Sequence, residues 1–273
     1  MSSYRFCRSD DIGLLVDALN RCWSPYFPDE PPVTPATFKR SIRDLQVWCS
    51  SCMVAFSGAD PIGVLIGAKR PSATLIHRIA VHPDHRRQGH GRHLLDSLAS
   101  KLAILGPPRI VAEVPEALAD AAALFSASGY VQEAVLTDYV LVSEQGDPST
   151  RAELPGSLRA GGDESGRFVI PVTVDDLAAN GLLAEDYPET GWERSVETLT
   201  ARRDEIAGLA VASEERIEAS LLYIKDGAGG EIMSVRSFVE DDGARLQHLL
   251  PRLGPGTFRF PKVHPAEVSK GCL

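Results

Sequence analysis

The chain has 273 residues, which is long for one compact domain and suits one large domain or two modest ones. Its content of 44% hydrophobic and 24% charged residues is ordinary for a globular protein and excludes a disordered or fibrous one. A net charge of −9, nearly all of it in residues 147–273, argues against nucleic acid as a partner, because phosphate binding needs a basic face.

The amino-terminal segment lacks the apolar core of a signal peptide, and no apolar run approaches the ~20 residues that a membrane span requires. We therefore expect a cytoplasmic protein with no membrane partner.

Helix and strand signals alternate through residues 1–143, the first predicted domain. A short strand and two helices come first, the second helix opened by Thr34 and the proline that follows it. Three consecutive strands come next, then a helix from about Gly89 to Leu105, a strand, another helix, and two closing strands up to Val142. The predicted order is β-α-α-β-β-β-α-β-α-β-β.

One segment of this domain predicts an anion site. A buried strand ends at Val81, and a loop containing Gly89 and Gly91 opens the long helix. Free backbone N–H groups of the loop and of the first helical turn, together with the helix dipole, attract anions. Arg86 and Arg87 can add charge-assisted hydrogen bonds. The alternative interpretation of this segment is a tight turn with solvent-exposed arginines. The nucleotide-binding pattern GxGxxG does not match, because Leu94 occupies its last position.

The spacing R-x-x-G-x-G of Arg86, Gly89 and Gly91, after IAVHPDH and before an amphipathic helix, resembles the pyrophosphate-binding motif of the GNAT superfamily of N-acetyltransferases. The element order resembles that fold over about residues 3–143. The resemblance implies an α/β (α+β) fold with a mixed, mostly antiparallel sheet flanked by helices. It also implies acetyl-CoA as the acyl donor and an amine as the acceptor.

The resemblance further implies which residues contact acetyl-CoA. The strand ending at Val81 would pair with the pantetheine arm, the loop would hold the pyrophosphate, and the thioester would lie between that strand and RIVAEV. The contacting residues would be Ile79, Ala80, Val81, Arg86, Arg87, Gln88, Gly89, His90, Gly91 and Arg92.

For the chemistry, His77 is the first candidate for the general base. It lies two residues before Ile79 on the strand that borders the cleft, and an imidazole titrates near working pH. The arylalkylamine acetyltransferases carry a histidine at the matching position; the alternative is a histidine merely packed beneath the cofactor. Glu113 on RIVAEV is the second candidate, acting directly or through a water. The N–H of Val81 would stabilise the oxyanion.

Two positions depart from the family pattern. Leu118 and Phe125 stand where the family usually has an asparagine that contacts the cofactor and a tyrosine that serves as general acid. Three outcomes follow: the thiolate leaves unassisted, Ser126, Tyr130 or Tyr139 supplies the proton, or catalysis has been lost.

Cysteines and histidines that could bind a metal are present, but their spacing does not favour a site. The CxxC of Cys49 and Cys52 has no second pair of ligands at a matching distance. The odd count of five cysteines argues against a complete disulfide framework, so Cys7, Cys22 and Cys272 are interpreted as packing residues or free thiols. Four histidines lie near the loop: His82, His85, His90 and His93. Most of them are interpreted as loop and helix-surface residues rather than as metal ligands.

Residues 144–166 are rich in Gly, Pro, Ser and charge and predict a linker. Residues 167–273 repeat the early element order of the first domain and resemble a second, incomplete GNAT-like domain. Where the phosphate loop should be, the chain reads VEDDGARL, which is acidic with a single glycine. We expect no cofactor there, and a role in shaping the acceptor site or an interface.

The sequence thus predicts an acetyl-CoA-dependent N-acetyltransferase in which a small-molecule or peptide amine attacks the thioester directly. A non-catalytic acyl-CoA binder or sensor, and a scaffold that binds no CoA, are the alternatives. The identity of the acceptor stays open, as does the oligomeric state, for which a homodimer is one option.

Overall fold

The computed structural model describes residues 2–143, 167–183, 190–241 and 243–267. The predicted linker, residues 144–166, lies outside the described residues, and so does Cys272. The chain forms two compact units, Met1–Gln132 and Glu133–Leu273. Among the described helices, none is both long and apolar enough to cross a membrane.

The first unit contains five strands and four helices. In chain order they are β1 (Ser2–Phe6), α1 (Ile12–Cys22), α2 (Pro35–Leu45), β2 (Met53–Ser57), β3 (Asp60–Lys69), β4 (Ala73–Val81), α3 (His90–Leu105), β5 (Arg109–Ala112) and α4 (Ala119–Ala127).

Local chemistry explains where the first helices begin. Thr34 and Thr37 form a reciprocal capping box at the start of α2, with Pro35 in its first turn. The helix α1 follows Asp11, which makes no side-chain capping hydrogen bond; its carboxylate accepts hydrogen bonds from the Arg5 guanidinium.

The first sheet has the order β1-β2-β3-β4-β5, antiparallel except for the parallel pair β4–β5. One face is covered by α3 and α4 through a core that includes Leu94, Leu98 and Phe125. A mixed, mostly antiparallel sheet flanked by helices is thus confirmed.

The second unit repeats this arrangement with smaller helices. Its elements are β6 (Thr137–Ser143), β7 (Phe168–Val172), α5 (Val174–Ala179), α6 (Val196–Ala201), β8 (Ala207–Ala212), β9 (Ile217–Asp226), β10 (Gly229–Ser237), α7 (Ala244–Leu249) and β11 (Gly256–Val263), and a helical turn at Pro265–Glu267 follows. Its sheet has the order β6-β11-β10-β9-β8-β7.

The strand β6 corrects one expectation. Sequence analysis placed residues up to 143 in the first domain, with two strands closing its sheet. In the structure only one strand forms there, and it pairs antiparallel with β11, as in Val140↔Arg259, so it belongs to the second sheet. The side chain of Leu141 packs on the second core with Phe258. Alternation of apolar and polar residues predicts that a strand exists, but contacts distant in sequence determine the strand with which it pairs.

Candidate functional site

A cleft opens in the first sheet where β4 and β5 separate. Their parallel pairing ends at Ile76↔Ala112. The next residue on each strand is a predicted catalytic residue, His77 on β4 and Glu113 after β5. The fold therefore brings both to the point at which the two strands part.

A β-bulge accompanies this separation. Ile66 pairs with Arg78 and Gly67 pairs with Ile76, so His77 is the extra residue of β4. A bulge bends its strand and redirects side chains, and such irregularities are common beside active sites. Sequence analysis did not identify it, because one inserted residue leaves little trace in a short apolar strand.

Beyond the bulge, β4 turns the backbone groups of alternate residues toward the cleft. The His82 N–H donates to Ile62 O at 2.9 Å, so this residue faces β3. Because successive residues of an antiparallel strand turn their backbone groups to opposite sides, Ala80 also faces β3, whereas Ile79 and Val81 face away from it. Two of the three predicted strand contacts therefore have backbone groups on the cleft side, and Ala80 does not.

The first residues after α1 reach this free edge. The Tyr26 hydroxyl donates a hydrogen bond of 2.6 Å to the Val81 carbonyl. The guanidinium of Arg86 lies 5.8 Å from the centre of the Tyr26 ring. Burial raises the pKa of the Tyr26 phenol, although the positive charge of Arg86 acts in the opposite direction. Sequence analysis missed Tyr26, which belongs to no motif or periodic pattern.

The loop between β4 and α3 exposes a row of donors. Gly89 precedes α3 with φ of 86°, a conformation that favours glycine. Arg87 also has a positive φ, 60°. Within the described residues, no acceptor takes the backbone N–H groups of residues 87–92. Such a row at the start of a 16-residue helix is suited to an anion.

The two loop glycines differ in their surroundings within the protein. A Cβ at Gly91 would lie 3.0 Å from Leu124 Cδ2, so the missing side chain lets α4 pack against α3. A Cβ at Gly89 meets nothing within 4 Å, so glycine there serves the backbone conformation.

The three arginines of the loop differ in their partners. Arg86 forms an ion pair with Asp120 in the first turn of α4, and this hydrogen bond raises the pKa of the guanidinium. Arg92 donates to the carbonyl of Ala127. Arg87 is exposed and has no ion pair among the described residues, which leaves it available to an anion. Asp120 was not foreseen, because its pairing depends on how α4 packs.

His90 is buried rather than on the helix surface. Its Nδ1 and the Tyr4 hydroxyl share a hydrogen bond of 2.5 Å, and its Nε2 has no partner in the described part of the chain. Burial, and then the neighbouring His85 and His93, lower its pKa. A contribution of this residue to anion binding therefore comes from its backbone N–H.

The candidate proton donors named from the sequence lie in three different places. Phe125 is buried and its ring meets that of Tyr130 edge to face, with the centroids 5.1 Å apart. The Tyr130 hydroxyl is buried in this core without a partner among the described residues. Ser126 is exposed on α4, and Tyr139 is on β6 of the second sheet.

The second unit has its own bulge and strand separation, but its own side chains fill the place. Met233 is the extra residue of β10, and parallel pairing with β11 ends at Glu231↔Arg259. The buried guanidinium of Arg194 donates to the Met233 carbonyl, at 3.2 Å, and to the carbonyls of Pro261 and Lys262. It also forms an ion pair with Glu267, 2.5 Å away.

The loop after β10 is likewise occupied. Gly243 precedes α7 with φ of 77°, as Gly89 precedes α3. The Asp241 carboxylate accepts the backbone N–H of Arg245 at 2.8 Å, so a carboxylate already occupies this helix start. The Arg245 guanidinium pairs with both Asp241 and Glu218.

The cysteines act as packing residues. Cys7, Cys22, Cys49 and Cys52 are free thiols, and all but Cys49 are buried. Burial raises the pKa of Cys7 to about 12 and that of Cys22 to about 11, so these thiols stay protonated. The described ranges contain no group of three or more His, Cys, Asp or Glu residues placed to hold a metal ion.

Several known proteins resemble this chain in sequence or in fold. Residues 14–130 match the profile of the acetyltransferase (GNAT) family. Mycothiol acetyltransferase from Thermomonospora curvata is 34% identical over 145 residues, which are 50% of this chain and 44% of that protein. The chain thus spans less than half the length of this curated relative.

Two solved structures share the fold over nearly the whole chain. A tandem GNAT protein from the clavulanic acid biosynthesis pathway aligns with a TM-score of 0.57 and 15% identity, covering 100% of this chain and 94% of that one. A putative acetyltransferase from Pyrococcus horikoshii aligns with a TM-score of 0.59 and 17% identity, covering 98% and 83%. The sequence match to the GNAT family profile thus covers residues 14–130, and the fold of the chain resembles that of a tandem GNAT protein.

Proposed function

We propose that the first unit is an acetyl-CoA-dependent N-acetyltransferase that acts on a small-molecule or peptide amine. The observation that carries the proposal is the continuity of the cleft with the loop. The free edge of β4 at Ile79 and Val81 leads directly into the unpaired N–H groups of residues 87–92. The pantetheine arm of acetyl-CoA is extended and ends in a pyrophosphate, so it can pair with this row of backbone donors and acceptors.

The loop would hold the pyrophosphate by its backbone. The N–H groups of residues 87–92 converge with the positive end of the α3 dipole, and the Arg87 guanidinium is exposed beside them. Arg86 would exchange its ion pair with Asp120 for a phosphate. Because exposed ion pairs contribute only about 0–1 kcal/mol, this exchange costs little.

The bound donor supplies an acetyl thioester, and the chain supplies proton transfer and polarisation. An alkylamine has a pKa of about 10 in water, so the site must take a proton from it before attack. His77 at the point of strand separation is the proposed base, with Glu113 opposite it as the second candidate. The Val81 N–H, on the free edge of β4, is the proposed donor to the oxyanion.

A non-catalytic acyl-CoA binder or sensor is the second candidate function. The observation in its favour is Phe125, which is buried against Tyr130 and offers no proton where the family usually has a tyrosine. In such a protein the cleft and loop would still bind acetyl-CoA, but no amine would be acetylated.

Release of CoA with a panel of amines separates the two functions. An acetyltransferase releases CoA in proportion to an acetylated amine, identified by a mass increase of one acetyl group. Binding of acetyl-CoA with no acetylated product in the whole panel would favour the sensor. Absence of binding would reject both and leave the scaffold.

A further inference from the structure

We propose that Tyr26 is the general acid of this acetyl transfer and delivers a proton to the departing thiolate of CoA. The proposal rests on the proposed function, and it assigns to the segment after α1 the role that α4 does not fill in this chain.

The position of the Tyr26 hydroxyl carries the proposal. It lies 2.6 Å from the carbonyl of Val81, the residue whose N–H would hold the oxyanion. The N–H and the carbonyl of Val81 point to the same side of β4. The Tyr26 hydroxyl, which contacts the carbonyl, is therefore about one residue along the strand from the oxyanion that the N–H would bind. The thioester sulfur is bonded to the carbon that carries that oxygen. The hydroxyl is therefore beside the place where negative charge develops on sulfur.

The segment that carries Tyr26 is fixed against β4. We call residues 23–30 the aromatic strap. The Trp23 Nε1–H donates to Glu30 at 3.0 Å, and the Arg78 guanidinium on β4 lies 5.0 Å from the centre of the Trp23 ring. Beyond the strap, the Asn20 side chain exchanges two hydrogen bonds with the backbone of Val33, at 2.9 and 2.8 Å. A proton donor held in this way needs little reorganisation during the reaction.

The proton balance is complete with groups already named. The amine nitrogen bonds to the thioester carbon, the C–S bond breaks, and its electron pair goes to sulfur. The Tyr26 proton passes to sulfur, giving the CoA thiol and a phenolate. The base passes to solvent the proton that the ammonium loses before attack, and solvent takes the second proton that the nitrogen loses as the amide forms. One proton from solvent then restores the Tyr26 phenol, so the net release is one proton. When the Val81 carbonyl accepts a hydrogen bond from the bound donor, the Tyr26 O–H is free to rotate toward sulfur.

The electrostatics around Tyr26 suit an acid. Burial raises the pKa of the phenol, so it carries its proton at neutral pH. The Arg86 guanidinium, 5.8 Å from the ring centre, stabilises the phenolate that forms in the transfer. No other tyrosine hydroxyl in the described residues of the first unit bonds to the free edge of β4.

The experiment compares Tyr26→Phe with Tyr223→Phe, which removes a tyrosine hydroxyl from β9 of the second unit. Tyr26→Phe should lower kcat by about 10- to 100-fold, at or below the low end for a general acid, because a thiolate with a pKa of about 8.5 leaves without much help. The affinity for acetyl-CoA should stay within about threefold of wild type. Tyr223→Phe should leave kcat unchanged.

An equilibrium measurement tests the same contact without turnover. At pH 9, where the CoA thiol is partly ionised, wild type should bind CoA about tenfold more tightly than desulfo-CoA, which lacks the sulfur, by virtue of a charge-assisted hydrogen bond. Tyr26→Phe should lose that preference. If Tyr26→Phe keeps both the kcat of wild type and its preference for CoA over desulfo-CoA, the proposal is overturned. If Tyr26→Phe binds CoA more tightly at unchanged kcat, Tyr26 only occupies the strand edge, and the proposal is likewise overturned. Wild type without acetyl transfer would reject the proposed function itself.

Discussion

At the scale of single residues, His77 has the sharpest structural signature of the predicted catalytic residues. It is the bulged residue of β4 and lies at the last register position before β4 and β5 separate. A bulge redirects a side chain that regular alternation would have placed elsewhere. The histidine is therefore placed by an irregularity of the strand, at the point where β4 and β5 separate.

If His77 is the base, His77→Ala should lower kcat by 10²- to 10⁴-fold, the usual range for general-base loss, with acetyl-CoA affinity nearly unchanged. The acidic limb of the kcat/KM profile set by the imidazole should disappear. Steady-state kinetics across pH measures both effects. Glu113→Gln is the matched variant, and it should have the smaller effect. Wild-type kcat in His77→Ala at every pH would transfer the role to Glu113 or to a water.

Sequence analysis named the residues that a local pattern marks and missed those that contacts distant in sequence place. The loop glycines and His77 follow from motif and strand order. Tyr26 reaches β4 across 55 positions of sequence, and Asp120 meets Arg86 only because α4 packs on α3. Gly91 was found by its motif, but the adjacent Leu124 gives it a packing role that the motif does not contain.

At the scale of elements, the two units differ in what occupies their equivalent places. In the first unit, the strand edge and the helix start present free backbone groups. In the second, Arg194 fills the strand separation and the Asp241 carboxylate caps α7. The sequence VEDDGARL predicts an acidic loop, and the structure adds that the Asp241 carboxylate of this loop already accepts the Arg245 N–H at the start of α7.

Two carboxylates, Asp241 in this loop and Glu218 on β9, should make the second unit sensitive to acid. Hydrogen bonds from Arg245 lower the pKa of Glu218; for Asp241, burial raises the pKa, but hydrogen bonds from Arg245 outweigh it. A carboxyl group with a lowered folded-state pKa adds stability above its unfolded pKa of about 4 and loses it as pH falls through the folded value. Amide-exchange protection of β9 and β10 should therefore decline below about pH 5.

Glu218→Gln tests the assignment of this acid sensitivity. The variant should lose about 1–3 kcal/mol at neutral pH, because hydrogen bonds to a charged group are removed. Its exchange protection should also fall less steeply with acid than that of wild type. An equally steep decline would mean that other carboxyl groups control the acid response.

At the scale of the whole molecule, the sequence predicted two domains of one fold but could not predict to which domain each strand belongs. The expected boundary at residue 143 placed β6 in the first domain, whereas β6 forms the edge of the second sheet beside β11. Strand content is set by local alternation, but partner choice depends on which edge is exposed in the folded chain.

The central claim is that one of the two units, the first, binds CoA through the loop before α3. Isothermal titration of the full chain with CoA tests it most directly, using Gly89→Glu to place a carboxylate at the phosphate position. Gly89→Ala is the matched control, since it shares the cost of the positive φ at this position without adding charge.

The account predicts one CoA per chain for wild type, retained binding for Gly89→Ala at reduced affinity, and loss of binding for Gly89→Glu. Circular dichroism should show all three proteins folded. Two CoA per chain, or undiminished affinity in Gly89→Glu, would contradict it.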